Sequence, residues 1–277
     1  MRTFLLGALI AWLATWLLAA VAERLGLGDA PRGSEAGRKH QTRPVPPVGG
    51  LAIGFAWYAT GGAGLGAGLP AWFATSGSTG LALALALAVG VTDDLRARGL
   101  SPVAKLVGQL CAGLILAAPT WTALPAAEAA AWSLAGAGGA ALACNLWNTF
   151  DNADGVATGL AGTGFALLAL PAAGSVLGFL PWNLFLRRAG EPRAYLGDGG
   201  SHLLGMAVLV QPAAWPLALL PAIDLLRVSA LRISAGEPPW RGDRRHLAHA
   251  LQRKGLGTLQ VAALLIVLGL LPLLSKL

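Results

Sequence analysis

The sequence predicts an all-α, polytopic integral membrane protein with about ten transmembrane helices, some of them short or broken. Three observations lead there. The 277 residues are 55% hydrophobic and only 12% charged, with a mean hydropathy of +0.63, whereas soluble domains carry roughly twice that charged fraction. The apolar residues fall in long runs separated by short polar loops, the pattern that a bilayer imposes on a helical chain. The charge is also confined: with alternating spans, nearly all of it lies on or borders one membrane face, and Arg2, Glu128 and Lys276 stand apart. The positive-inside rule makes that face cytoplasmic and both termini outside. It also accounts for the net charge of +7 without any nucleic acid partner.

Taken in order, the apolar runs are 3–21, 48–69, 76–92, 103–119, 130–147, 156–171, 172–186, 200–211, 213–231 and 256–275. The first is long enough to span and lacks a basic leader beyond Arg2, so it reads as a retained span and not as a signal peptide. Runs 156–171, 172–186 and 200–211 are short against the ~20 residues a crossing needs, hence the expectation of broken or half helices. Cys111 and Cys144 lie inside apolar runs with no metal-ligand spacing and read as small buried hydrophobes. The whole chain forms one membrane-embedded domain.

The inner loops carry the chemistry. Asn145–Gly155 reads N-L-W-N-T-F-D-N-A-D-G, and a helix would gather Asn145, Asn148, Asp151 and Asn152 on one side. Carboxylates at a membrane boundary are usually paired, metal-bound or catalytic; a helix end with Asp caps and a Gly stop is the alternative. Asp93 and Asp94 end a helical run, where they oppose its dipole and make poor caps, so a cation or a catalytic task is expected of them. The first loop places Arg38, Lys39, His40 and Arg43 before a Pro-stiffened segment and Gly49-Gly50, an arrangement suited to a phosphate-bearing ligand. Gly197-Asp198-Gly199-Gly200-Ser201 aims a carboxylate from a loop with close backbone approach. In the last loop His246 and His249 share one helix face. Asp224 and Arg227, at i, i+3 in an apolar helix, are expected to pair with each other.

These motifs, in this order, resemble the polyprenyl-phosphate N-acetylhexosamine-1-phosphate transferase superfamily (glycosyltransferase family 4). The resemblance rests on R-K-H…P-P-V-G-G at 38–50, D-D at 93–94, N-x-x-N-x-x-D-N-A-D-G at 145–155, Asn183, G-D-G-G-S at 197–201 and D-R-R-H-L-A-H at 243–249. It implies a membrane enzyme of ten or eleven helices in the bacterial inner membrane, with a cytoplasmic active site. The reaction it implies moves a sugar 1-phosphate from a UDP-N-acetylhexosamine to a polyprenyl phosphate, with Mg²⁺ (or Mn²⁺) as the cofactor. By the same resemblance Asp198 and Asp151 look like metal ligands, and Asp93, Asp94, Asp151 and His246 like catalytic groups. Lys39, His40, Asn148, Asp154, Asn183, Tyr195 and His249 look like substrate contacts, with Asp154 and Tyr195 on the nucleobase. A homodimer is a candidate assembly.

The R-K-x-H and D-R-x-H forms are similar to the branch that uses N-acetylglucosamine-type donors, more than to the phospho-muramoyl-pentapeptide branch. Departures are Ala248 where the family's H-x-H-H has an imidazole, Asn152 in place of a common Gly, and a longer interval between Asn183 and Asp198. A CDP-alcohol phosphatidyltransferase is excluded, because Asp154-Gly155 lacks the further acids of that motif. An ion-coupled transporter would carry its acids near the bilayer midplane, and a catalytically inactive relative is the remaining alternative.

Overall fold

The computed structural model describes residues 1–28, 43–61, 65, 77–238 and 243–276. The ten expected runs fold as helices in nearly the expected places. They are α1 (Arg2–Leu25), α2 (Gly49–Ala59), α3 (Ser78–Leu95) and α4 (Pro102–Ala117), then, past a single turn α5 (Thr120–Ala123), α6 (Ala126–Phe150), α7 (Val156–Leu167) and α8 (Ala172–Leu184). After them come α9 (Gly197–Leu209), a 3-10 stretch (Pro212–Ala218) running into α10 (Leu219–Ser234), the short α11 (Leu247–Arg253) and α12 (Thr258–Leu274).

Five helical stretches are long and apolar enough to cross a membrane: Arg2–Leu25, Ser78–Leu95, Pro102–Ala123, Ala126–Phe150 and Pro212–Ser234. That makes a multi-pass membrane protein. The count of about ten crossings is not reached on these grounds, because α2, α7, α8, α9 and α12 have 11, 12, 13, 13 and 17 residues. At about 1.5 Å per residue they fall short of a hydrocarbon core of about 30 Å. The all-α expectation needs one amendment: Arg187–Arg188 and Glu191–Pro192 pair as a two-stranded antiparallel hairpin.

The packing follows from inverted amphipathicity. Helix α1 buries Gly7, Ala11, Thr15, Ala19 and Ala22 while Leu5, Leu9, Leu13, Trp16 and Leu17 point outward. Small residues let backbones approach, and the large apolar ones face lipid. The largest buried cluster gathers Trp147, Phe150, Leu160, Phe165 and Phe179 with Leu196 and Leu204, so α6–α9 form the rigid centre.

Two glycines bring α9 against its neighbours. A Cβ at Gly90 of α3 would overlap the backbone carbonyl of Asp198, and one at Gly50 of α2 would overlap the backbone of Gly199–Gly200. The Gly49 and Gly50 amides donate to the Tyr195 and Leu196 carbonyls at 3.0 Å each. The glycine pair is therefore buried packing surface with its amides occupied, which corrects the expectation that this backbone is open to a phosphate.

Overpacking of this kind typically costs about 1–3 kcal/mol. Gly90→Ala should accordingly lower the thermal unfolding midpoint of the detergent-purified protein by several degrees. Gly138→Ala, where an added methyl meets nothing within 4 Å, should leave it unchanged.

Candidate active site

Four helix ends meet at one point. Helix α3 delivers Asp93 and Asp94 in its last turn. The chain then reverses through Arg96–Leu100, with Gly99 at φ +64° and the Leu100 amide donating to Asp93 Oδ1 at 2.6 Å. Ser101 caps α4 by accepting from the Ala104 amide at 3.2 Å, with Pro102 at the first helical position, a favoured helix start. One turn later Lys105 places its Nζ 2.6 Å from Asp198 Oδ2 and 3.0 Å from Asp93 Oδ2. From α6, Asn148 Nδ2 donates to Asp198 Oδ1 at 2.7 Å and to Ser201 Oγ at 3.2 Å.

Asp198 stands in the first turn of α9 and not in a free loop. Gly197, at φ +75°, supplies the left-handed step that starts the helix. Asp94 receives the Asp198 amide on Oδ1 at 2.9 Å and the Gly199 amide on Oδ2 at 3.0 Å. A carboxylate that is badly placed for its own helix dipole thus caps the positive end of another. Both Asp94 oxygens accept amides at the start of α9, so this carboxylate holds that helix in place.

Beneath this group lies a buried polar chain. Asn145 Nδ2 donates to Gln109 Oε1 at 2.8 Å, and Gln109 Nε2 lies 3.2 Å from His202 Nε2. An apolar crevice of about 110 Å³ between α1, α2 and α3 has Asp94 in its lining, with Leu18, Val21, Val48, Leu51 and Val91 among its other walls.

The glycosyl transferase family 4 model matches residues 77–214, the stretch holding every side chain in this convergence. The chain belongs to glycosyl transferase family 4. Among curated relatives, the undecaprenyl-phosphate alpha-N-acetylglucosaminyl 1-phosphate transferase of Haemophilus influenzae is 29% identical over 106 residues, covering 33% of this chain and 30% of that protein. The protein of the same description from Pasteurella multocida is 28% identical over 110 residues, covering 32% and 30%. The matched region thus spans under a third of each relative.

Within the family 4 core, the other expected residues divide. Asp151 follows the last residue of α6, so it is not on the helix face with Asn145 and Asn148. The surrounding protein strips its hydration, and the charges of Asp198, Asp154 and Asp94 add to that, raising its carboxyl well above the ordinary range. Asp154 is raised mainly by burial and pulled back by Arg187, whose Nη2 lies 2.8 Å from its Oδ2. Asn183 is 2% exposed and spends its amide inside the protein: Oδ1 accepts from the Gly155 amide at 2.9 Å and Thr158 Oγ1 at 3.2 Å, and Nδ2 donates to the Ala194 carbonyl at 3.3 Å. Through the Gly155 amide it shapes the Asp151–Gly155 turn. Tyr195 is half-buried, and its peptide is held between Pro46 and Gly49.

Outside the matched range, His246 pairs with Asp224 and His249 with Gln252. Among the described residues neither imidazole bonds to the Asp93–Lys105–Asp198 group. Lys39 and His40 lie outside the described residues. Ala248, where the family's H-x-H-H motif has His, is 2% exposed in the apolar core, a position that an imidazole would not suit. Sequence reasoning missed Lys105 and Gln109. The available signal was a lone cation near the start of an apolar run, which by default marks function.

No three His, Cys, Asp or Glu side chains form a metal cage among the described residues. Mg²⁺, however, commonly takes one or two carboxylates and completes its shell with water and phosphate. Asp198 with Asp93 already converge on a cation, and Asp151 adds negative potential to the same recess, so the donor set fits such an ion.

A carboxyl raised on folding stabilises the fold below its unfolded pKa, and that contribution is lost as pH rises through the folded pKa. Asp151→Asn should therefore raise the unfolding midpoint over wild type at neutral pH. The gap should close on acidification, which thermal melts across a pH series would show.

Proposed function

We propose that the protein transfers an N-acetylhexosamine 1-phosphate, with N-acetylglucosamine the preferred sugar, from a UDP-sugar to a polyprenyl phosphate at the cytoplasmic face of the inner membrane. The observation that carries this reading is the convergence of Asp93, Lys105, Asn148 and Asp198 from four helix ends. Three of those helices lie in stretches long enough to cross a membrane. That is where a lipid headgroup and a soluble nucleotide can meet. The family and the description of the two relatives agree with it.

In this reaction a phosphate oxygen of the lipid forms a bond to the phosphorus that bears the sugar. The bond from that phosphorus to the bridging oxygen breaks, and UMP leaves with the oxygen. Two anions must approach, so positive charge has to be in place beforehand. Mg²⁺, held by Asp198 and Asp151, would supply part of that charge. Lys105 supplies a fixed ammonium between Asp93 and Asp198. In its ionised form Asp151, made more basic by burial and by the neighbouring carboxylates, is suited to take the proton of the lipid phosphate. The apolar crevice that Asp94 lines offers a seat for the first isoprene unit, and Asp154 and Tyr195 would contact the nucleobase by hydrogen bonding and by stacking.

UMP release from UDP-N-acetylglucosamine and polyprenyl phosphate, assayed with and without Mg²⁺ and against a donor panel, tests the reading. Asp198→Asn should lower turnover at least about a hundredfold, as loss of a preorganised charge does, with insertion and folding retained. Normal turnover would remove Asp198 from the metal role. Tyr195→Ala should chiefly raise the donor KM, and an unchanged KM would argue against stacking.

A further inference from the structure

Asp224 belongs to none of the motifs above. It lies on α10, in a stretch long enough to cross a membrane, and is 1% exposed. The expected partner, Arg227, is present, with Nη2 3.3 Å from Oδ1, but it is the weakest of three contacts. Asp224 Oδ2 lies 2.9 Å from His246 Nδ1, and Oδ1 accepts the Leu247 amide at 2.9 Å. Arg227 Nη2 also donates to the Arg245 carbonyl. A carboxylate at the membrane helix thus grips the last inner loop at the residue that opens α11.

The donors fix the proton on the ring. An ionised carboxylate only accepts, so His246 Nδ1 must carry hydrogen, and in the neutral imidazole Nε2 then bears the lone pair. Nε2 has no partner among the described residues. We infer that Asp224 is the positioning residue of His246, holding it in the Nδ1–H form so that Nε2 is the atom presented to the anionic substrates. The inference rests on the transfer reaction proposed above and adds a residue to it. When His246 takes a second proton beside a phosphate, the Asp224 charge stabilises the imidazolium.

The isosteric variant Asp224→Asn makes an opposite demand. The Leu247 amide and Arg227 can only donate, so the Asn oxygen must face them. Its amide nitrogen is then left to donate to His246 Nδ1, which forces hydrogen onto Nε2.

The test uses the full chain, labelled with ¹⁵N-histidine, in nanodiscs. The His246 ring signals, assigned by their loss in His246→Gln, should report Nδ1–H in wild type and Nε2–H in Asp224→Asn. Arg227→Gln, which removes a contact of Asp224 and none of His246, should keep Nδ1–H. In UMP-release assays Asp224→Asn should lower kcat about a hundredfold with little change in donor KM. The double variant with His246→Gln should be no slower than His246→Gln alone. An unchanged tautomer in Asp224→Asn, a changed one in Arg227→Gln, or a double variant slower than His246→Gln would overturn the inference. The spectra are read on the resting protein, so absence of transfer in wild type would sink the functional reading while the spectra still decided the positioning.

Discussion

The structure depends on how it handles negative charge at the ends of apolar helices. Asp93, Asp94 and Asp198 are drawn to one place, and they are answered in two ways. Lys105 bridges Asp93 and Asp198 at 3.0 and 2.6 Å. Asp94 is neutralised by the exposed amides of α9. Without those answers the carboxylates would repel one another in surroundings that screen charge poorly. With them, α3, α4, α6 and α9 are bound together at one point. At Asp151, burial first and then the charges of Asp198, Asp154 and Asp94 raise the carboxyl. Fold and candidate site therefore draw on the same charges.

The fold was legible in the sequence to the extent that hydrophobic length governs it. Ten apolar runs became ten helices because backbone groups in lipid must be satisfied within the segment. Which of those helices cross was not legible. Run 156–171 holds 12 helical residues, and whether a short helix spans depends on tilt and neighbours. The hairpin at Arg187–Pro192 escaped notice for another reason. Two residues per strand give no alternation to read, and the turn residues Ala189 and Gly190, at φ +51° and +84°, stand out only in coordinates.

At the site, the sequence revealed which residue types were present and less of what each one does. Gly49-Gly50 and Gly197–Gly200 look alike on paper as backbone open to a ligand. In space both are packing surface between α2 and α9, and the second differs in carrying Asp198 to Lys105 and Asn148. Asn183 likewise follows the family motif, yet its amide is consumed in shaping the turn at Gly155. Lys105 gave a signal that could be read two ways, because a single cation near the start of an apolar run also fits the ordinary flanking charge of a span. Its importance depends on Asp198, which lies 93 positions away.

Asp224 shows the same limit from the other direction. Spacing offered Arg227 as a sufficient partner, and a local pair at i, i+3 is the economical reading of two charges in an apolar helix. A buried carboxylate, however, has more acceptor capacity than one guanidinium contact at 3.3 Å uses. The remaining capacity had to be met from elsewhere, and a helix with so few polar neighbours could meet it only from an inner loop. The demand for satisfied buried acceptors thus reaches from the bilayer to the loop that carries His246. It ties the ring's orientation to the membrane helix.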